Sequence, residues 1–101
     1  MLGNFQQWGL DFIGEINPFS SGQHKWILVA TDYFTKWIEE IPTRNATHQL
    51  IMRFLYDNIF SRFGCPVILV TDNAQAFKAG ALVKMCESMD IQLVHSTSYY
   101  P

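Results

Sequence analysis

The feature that most restricts what this chain can fold into is a change in the spacing of its apolar residues between Pro42 and Thr47. Before it, apolar residues alternate with polar ones or run together in short stretches. After it, they recur every three or four positions. Trp8-Gly9-Leu10-Asp11-Phe12-Ile13 reads as a short strand, with Trp8, Leu10 and Phe12 on one face and Asp11 and Ile13 on the other. The stretch from Asn17 to Gly22 is rich in turn formers. Lys25 to Tyr33 is a run of Trp, Ile, Leu, Val and Ala whose length and β-branched content favour a buried strand over a helix. Phe34-Thr35 makes a tight connection, and Lys36 to Ile41 reads as a third strand stopped by Pro42. Three strands in succession predict an antiparallel meander.

The second part reads differently. Leu50, Ile51, Phe54, Leu55, Ile59, Phe60 and Phe63 fall on one face of a helix over Thr47–Phe63. Thr47 is suited to cap its start, Gly64 to the left-handed position past its end, and Pro66 cannot continue it. Val67 to Val70 is a continuous apolar strand of the kind covered on both faces. A second helix is expected from Gln75 to about Met89, with Phe77, Ala81, Leu82, Met85, Cys86 and Met89 inward, then a last strand over Ile91–Val94. The order is β-β-β-α-β-α-β. Helical crossovers make the later strands parallel, so an α/β fold with a mixed five-stranded sheet and helices packed on it is expected.

The chain has 101 residues, 49% of them hydrophobic and 16% charged, with a net charge of −2. That suits one domain over residues 1–101 with a real core, and it is too apolar for a disordered segment. No run approaches the ~20 apolar residues of a membrane span, and the N-terminus shows no basic patch followed by an apolar stretch, so neither membrane insertion nor a secretory signal is expected. Cys65 and Cys86 have no ligand-spaced partners for zinc; both sit in apolar company and read as buried free thiols, which suits a reducing, intracellular compartment. The slight acidity argues against a self-sufficient nucleic-acid binder, since Lys36, Arg44, Arg53, Arg62, Lys78 and Lys84 are scattered and read as solvated surface. Trp8, Trp26 and Trp37 read as core packing.

Three aspartates lie within or just after strands, where Asp is disfavoured: Asp11, Asp32 and Asp72. Asp32 reads as a hairpin-end residue. Asp11 reads either as a solvent-facing residue on a half-exposed strand or as a functional acid. Asp72 reads either as turn and N-cap chemistry or as a functional acid. Were their strands neighbours, the two carboxylates would converge at one edge of the sheet. Two such anions repel and raise one pKa unless a cation joins them, and carboxylate oxygens suit Mg²⁺ or Mn²⁺. Such an ion polarises a phosphodiester and activates a nucleophilic hydroxyl. Among the histidines, His95 after the last strand reads as structural or solvated, and His24 and His48 have no ligand-spaced partner.

The surrounding words sharpen this. Trp8-x-x-Asp11-x-x-Gly14, then Ile27-Leu28-Val29-Ala30-Thr31-Asp32-Tyr33-Phe34-Thr35-Lys36-Trp37, Phe63-Gly64-x-Pro66, Thr71-Asp72-Asn73-Ala74-Gln75-Ala76-Phe77 and Ser96-Thr97-Ser98-Tyr99-Tyr100-Pro101 follow one another in order. In that order the series resembles the catalytic core of retroviral-type integrases, most closely that of gypsy-class LTR retrotransposon polyproteins, over almost the whole chain. The resemblance implies a ribonuclease-H-like fold and a metal-dependent site of three carboxylates. Asp11 matches the first catalytic and metal-binding aspartate, and Asp72 the second. Asn73 and Gln75 match positions that touch a DNA backbone near the metal; helix-start capping is the other reading of both. The implied partners are DNA, both element ends and target, engaged through a larger polyprotein, and further copies of the chain. The implied compartment is the nucleus.

Two departures qualify the resemblance. Ala74 stands where the family has Gly, at a cost of about 1 kcal/mol if its φ is positive. The third carboxylate of the family, a glutamate on the following helix, is implied beyond Pro101. Residues 1–101 therefore lack it and the final helices, so weak metal binding and little or no strand transfer are expected of this polypeptide, with exposed apolar surface left behind. Three readings stand: a core that joins a 3′-hydroxyl of DNA to a target phosphodiester, a catalytically dead remnant or interaction module retaining the fold, and a nuclease of the same fold.

Overall fold

A computed structural model describes residues 6–14 and 25–96. The turn-rich stretch after β1, His24 and the Ser-x-x-Tyr-x-Pro stretch beyond Ser96 lie outside the described residues. Three strands open the fold: β1 over Gln7–Gly14, β2 over Trp26–Asp32 and β3 over Ile38–Thr43. They pair antiparallel, β1 with β2 and β2 with β3, as the alternation predicts. Pro42 does not stop β3. It lies within the strand, exposed and opposite Ile27. β3 is the sheet's edge, where a residue without an N–H leaves no ladder bond unmade on the solvent side.

The helical segment begins where Thr47 turns the chain. Its extended backbone and its hydroxyl, accepting from the Leu50 N–H at 3.4 Å, cap α1 over His48–Phe54. The segment then widens into π-helical turns over Leu55–Phe60 and closes as α2 over Ser61–Phe63. Apolar spacing foresees the helical face but not the widening. Gly64 ends the segment at φ 86°, a conformation that a side chain resists.

β4 follows over Ile68–Thr71. The expected second helix is broken: a 3₁₀ turn over Gln75–Lys78, then an extended Ala79, then α3 over Gly80–Ser88. The break rotates the faces, leaving Ala81 exposed rather than inward, whereas Leu82, Met85 and Cys86 are buried. α3 stops through a left-handed Asp90 (φ 58°), with the Ile91 N–H bonded to the Cys86 carbonyl at 2.8 Å and the Asp90 N–H to that of Glu87 at 3.2 Å. β5 over Gln92–His95 completes a sheet of order β3-β2-β1-β4-β5, with β1, β4 and β5 mutually parallel.

The helices cover one face of this sheet. Trp8 and Leu10 of β1, Leu28 and Ala30 of β2 and Leu69 of β4 pack there with Ile51, Phe54, Leu55, Ile59, Phe77 and Leu82. Trp8 lies against Phe63, ring centroids 5.4 Å apart. Burial pushes the Cys86 thiol up to about 11. Two sequence expectations fail at the surface: Cys65 is exposed, beyond the end of α2, and Trp37 is half exposed, its indole N–H donating to Glu39. Cys65 follows Gly64 and Trp37 follows the β2–β3 turn, and among the described residues neither is covered. The scattered Lys and Arg residues are all on the surface as expected, Arg62 pairing with Glu39 at 2.7 Å. Among the described residues, no helix is long and apolar enough to cross a membrane.

Candidate metal centre

Among the described residues no helix covers the other face of the sheet, which carries Asp11. Trp8 and Leu10 turn into the core, so the residues between and beyond them, Gly9, Asp11 and Ile13, project the other way. β4 runs beside β1 with Gln7 opposite Ile68, Trp8 opposite Leu69 and Gly9 opposite Val70. Continued by two residues, that parallel register brings Asp11 level with Asp72, just past the end of β4. Neighbouring strands lie about 4.8 Å apart, so the two side chains share one rim of the sheet.

Their electrostatics agree with the register. Asp11 is exposed as a residue, yet its carboxyl sits in a cleft, and partial burial, the negative charge of Asp72 and a hydrogen bond with the Asp72 side chain raise its pKa above the usual 3.8. The Phe12 backbone opposes the shift without cancelling it. The cleft, about 350 Å³, is floored by Gly9, Val29 and Val70 and walled by Tyr33. Gly9 leaves room there for the Tyr33 ring. A Cβ at that position would stand 2.7 Å from the Tyr33 ring.

Asp72 is fixed from its own side. One carboxylate oxygen, Oδ1, accepts from the Ala74 N–H at 2.9 Å. Ala74 itself has φ −60° and ψ 146°, so the missing glycine of this position costs no backbone strain. Asp72 makes a turn, but no side chain caps the 3₁₀ segment that follows. The capping reading of Asn73 and Gln75 is therefore overturned. Asn73 reaches across to the Ser96 carbonyl at 3.5 Å, and Gln75 is exposed beside it. Asp32 is a turn residue as expected, fully buried and bonded to the Thr35 N–H at 2.8 Å.

Two oxygen acids that repel each other across a rim are a donor set for a hard divalent cation, whose charge would offset the repulsion that raises the Asp11 pKa. Among the described residues no group of three or more His, Cys, Asp or Glu is close enough to hold a metal, so the pair is a partial ligand set.

Residues 3–101 match the integrase core domain. The chain belongs to that family. It is 32% identical over 96 residues to the Gag-Pol polyprotein of avian reticuloendotheliosis virus, covering 95% of this chain and 8% of that protein. It is 34% identical over 94 residues to the Pol polyprotein of radiation murine leukemia virus (strain Kaplan), covering 93% of this chain and 16% of that protein. The chain thus spans less than a fifth of these relatives. Among solved structures it superposes on the HTLV-2 integrase catalytic core domain in complex with magnesium, in its dimeric form, with a TM-score of 0.72 at 23% identity over 89% of this chain and 59% of that one. The mixed sheet and its helical cover are those of a ribonuclease-H-like integrase core.

The sequence reading missed a contact at this rim. The hydroxyl of Thr71, a residue only 2% exposed, meets the His95 ring at 2.8 Å. Its signal is faint: β4 and β5 are short strands of equal length, each ending on a hydrogen-bonding side chain.

Proposed function

We propose that Asp11 and Asp72 are the metal-binding carboxylates of this integrase core, and that it acts on DNA phosphodiesters with Mg²⁺ or Mn²⁺. The observation that carries the reading is the β1–β4 register, which makes neighbours of two acids far apart in sequence. When bound, the ion would polarise a phosphodiester and activate an attacking hydroxyl. The chain's own residues do the rest. Asp11 and Asp72 offer oxygens from adjacent strands. The Ala74 N–H orients the Asp72 carboxylate. Asn73 and Gln75, exposed on the turn beside the pair, are suited to contact a DNA backbone. With a net charge of −2, much of the affinity for DNA must come from other segments of a longer polyprotein or from further copies of the chain. The HTLV-2 core, solved in complex with magnesium in a dimeric form, supports both parts of the reading. Integration into chromosomal DNA would put the working protein in the nucleus.

The test is a Mn²⁺ titration of the chain with a DNA-nicking assay, run beside Asp11→Asn and Asp72→Asn. Metal-dependent nicking lost in either variant supports the pair as the site. A chain that binds no metal below millimolar and nicks nothing supports the other reading, a fold kept without its chemistry.

A further inference from the structure

His95 lies opposite Thr71 where β5 and β4 end together. Paired residues on parallel neighbours project to the same face. Thr71 is buried with Leu69, so that face is the helix-covered one and not the one bearing Asp11. The Thr71 hydroxyl has two partners, the Asp72 carbonyl at 2.9 Å and His95 Nδ1 at 2.8 Å. A hydroxyl has a single proton, and a carbonyl only accepts. One arrangement satisfies both contacts: the hydroxyl donates to the Asp72 carbonyl and accepts from His95 in its Nδ1–H tautomer.

The consequence falls on Asp72. The peptide unit before its Cα is held through the Thr71 carbonyl, which accepts from the Ser96 N–H at 2.7 Å and the Ser96 hydroxyl at 3.3 Å. The peptide unit after it is held through the Asp72 carbonyl by the hydroxyl that His95 orients. With both flanking planes tied, the direction of the Asp72 Cα–Cβ bond is set, and the Ala74 N–H, donating to Oδ1, turns the carboxylate about it. His95 is no ligand of the pair: it projects from the opposite face, and no three-residue cluster of metal-binding side chains forms among the described residues.

We propose that His95 is a positioning residue for Asp72, acting through the Thr71 hydroxyl to hold the carboxylate where it meets Asp11. The role in metal binding rests on the reading of Asp11 and Asp72 as a metal-binding pair; the geometric role does not. Outer partners of this kind are worth about 10–100-fold in metal affinity.

The experiment uses the 101-residue chain with His95→Ala, His95→Asn, Thr71→Val and Asp72→Asn. In the metal-free protein, ¹⁵N NMR of the neutral ring should find the His95 proton on Nδ1, and Thr71→Val should return it to the Nε2–H form that free histidine prefers. Solvent exchange of the Ala74 amide should speed up in His95→Ala and Thr71→Val. Mn²⁺ affinity, read by EPR of the free ion, should fall about tenfold in both. His95→Asn, which keeps an N–H donor at the Nδ1 position, should recover most of it. The double variant should be no weaker than either single one, because both break the same chain of bonds. An Nε2–H ring in the parent, an unchanged Ala74 exchange rate, or parental Mn²⁺ affinity in His95→Ala while Asp72→Asn loses it would each overturn the proposal. Failure of the underlying pair looks different: Asp72→Asn itself would leave Mn²⁺ binding unchanged, and the Ala74 exchange rates would still decide the geometric role.

Discussion

Asp32 and Asp11 occupy neighbouring strands, Asp32 opposite Trp8 and Asp11 opposite Val29, and the protein treats them in contrary ways. Asp32 is fully buried, and the turn that follows supplies its donors: the Thr35 N–H at 2.8 Å and the Thr35 hydroxyl bond the same carboxylate oxygen. Asp11 is open to solvent, and the side chain that most affects it is another carboxylate. A strand aspartate whose donors come from its own turn is a structural element. One whose neighbour is a second acid is left with a repulsion that the polypeptide does not relieve, and on the reading proposed above a cation would relieve it. The contrast separates architecture from chemistry within one residue type.

The largest expected effect lies on the architectural side. Asp32→Asn keeps the shape but replaces charge-assisted bonds to a buried carboxylate by neutral ones. Such bonds are worth about 1.5–3 kcal/mol each against about 1 for neutral pairs, so a loss of about 2 kcal/mol is expected. Urea denaturation measures it through the midpoint at constant slope. A variant as stable as the parent would erase the contrast, because Asp32 would then be no better satisfied than Asp11.

The next effect joins the two regions. Tyr33, the residue after Asp32, bonds the Gln7 carbonyl through its N–H at 2.9 Å and lays its ring over Gly9, two residues before Asp11. Gly9→Ala drives a methyl group into that ring. Tyr33 is 41% exposed and able to swing outward, so the cost should stay near the low end for overpacking, about 1 kcal/mol. The same substitution in a Tyr33→Ala background should cost little, a non-additivity that a double-mutant cycle reads directly. Equal costs in both backgrounds would mean that the ring does not connect the turn to the cleft.

How far these regions could be read beforehand follows the range of the interactions involved. Alternation showed which face of β1 holds Trp8 and which holds Asp11, because period two is local. Thr47, Gly64 and the Asp32 turn were legible for the same reason: cap, left-handed glycine and hairpin end each involve a few consecutive residues. The π-helical turns over Leu55–Phe60 were not, since Leu55 and Ile59 satisfy an ordinary helical face equally well. Pro42 misled because a strand's place at the sheet edge is decided by topology. The nearness of Asp11 and Asp72 was open to the sequence only through the motif resemblance. Spacing does not fix a parallel register, which is a tertiary fact, and the Thr71–His95 bond went unread because it joins two such strands. Cys65 and Trp37 were misplaced because apolar neighbours in sequence do not ensure cover in space.

The smallest effect has the opposite sign and is the sharpest test of the contrast. Asp11 has a folded pKa above its ordinary 3.8, through burial first and the charge of Asp72 next. The folded state therefore binds more protons than the unfolded state as pH rises through 3.8, and stability falls with pH until the raised value is passed. At neutral pH the whole of that penalty is present. Asp11→Asn removes the like-charge pair, so the variant should be more stable there by roughly 0.5 kcal/mol, the scale of facing like charges on neighbouring strands. The gain should shrink as pH falls through 3.8 and vanish only near pH ~2, where the carboxyl is protonated in both states. Mg²⁺ or Mn²⁺ should raise the midpoint of the parent and do less for the variant, because only the parent offers both acids to the ion. Urea curves across this pH range, with and without the metal, contain all three signs. A variant less stable than the parent at neutral pH would mean that Asp11 is satisfied by the protein alone, as Asp32 is, and that the rim carries no uncompensated charge for a cation to meet.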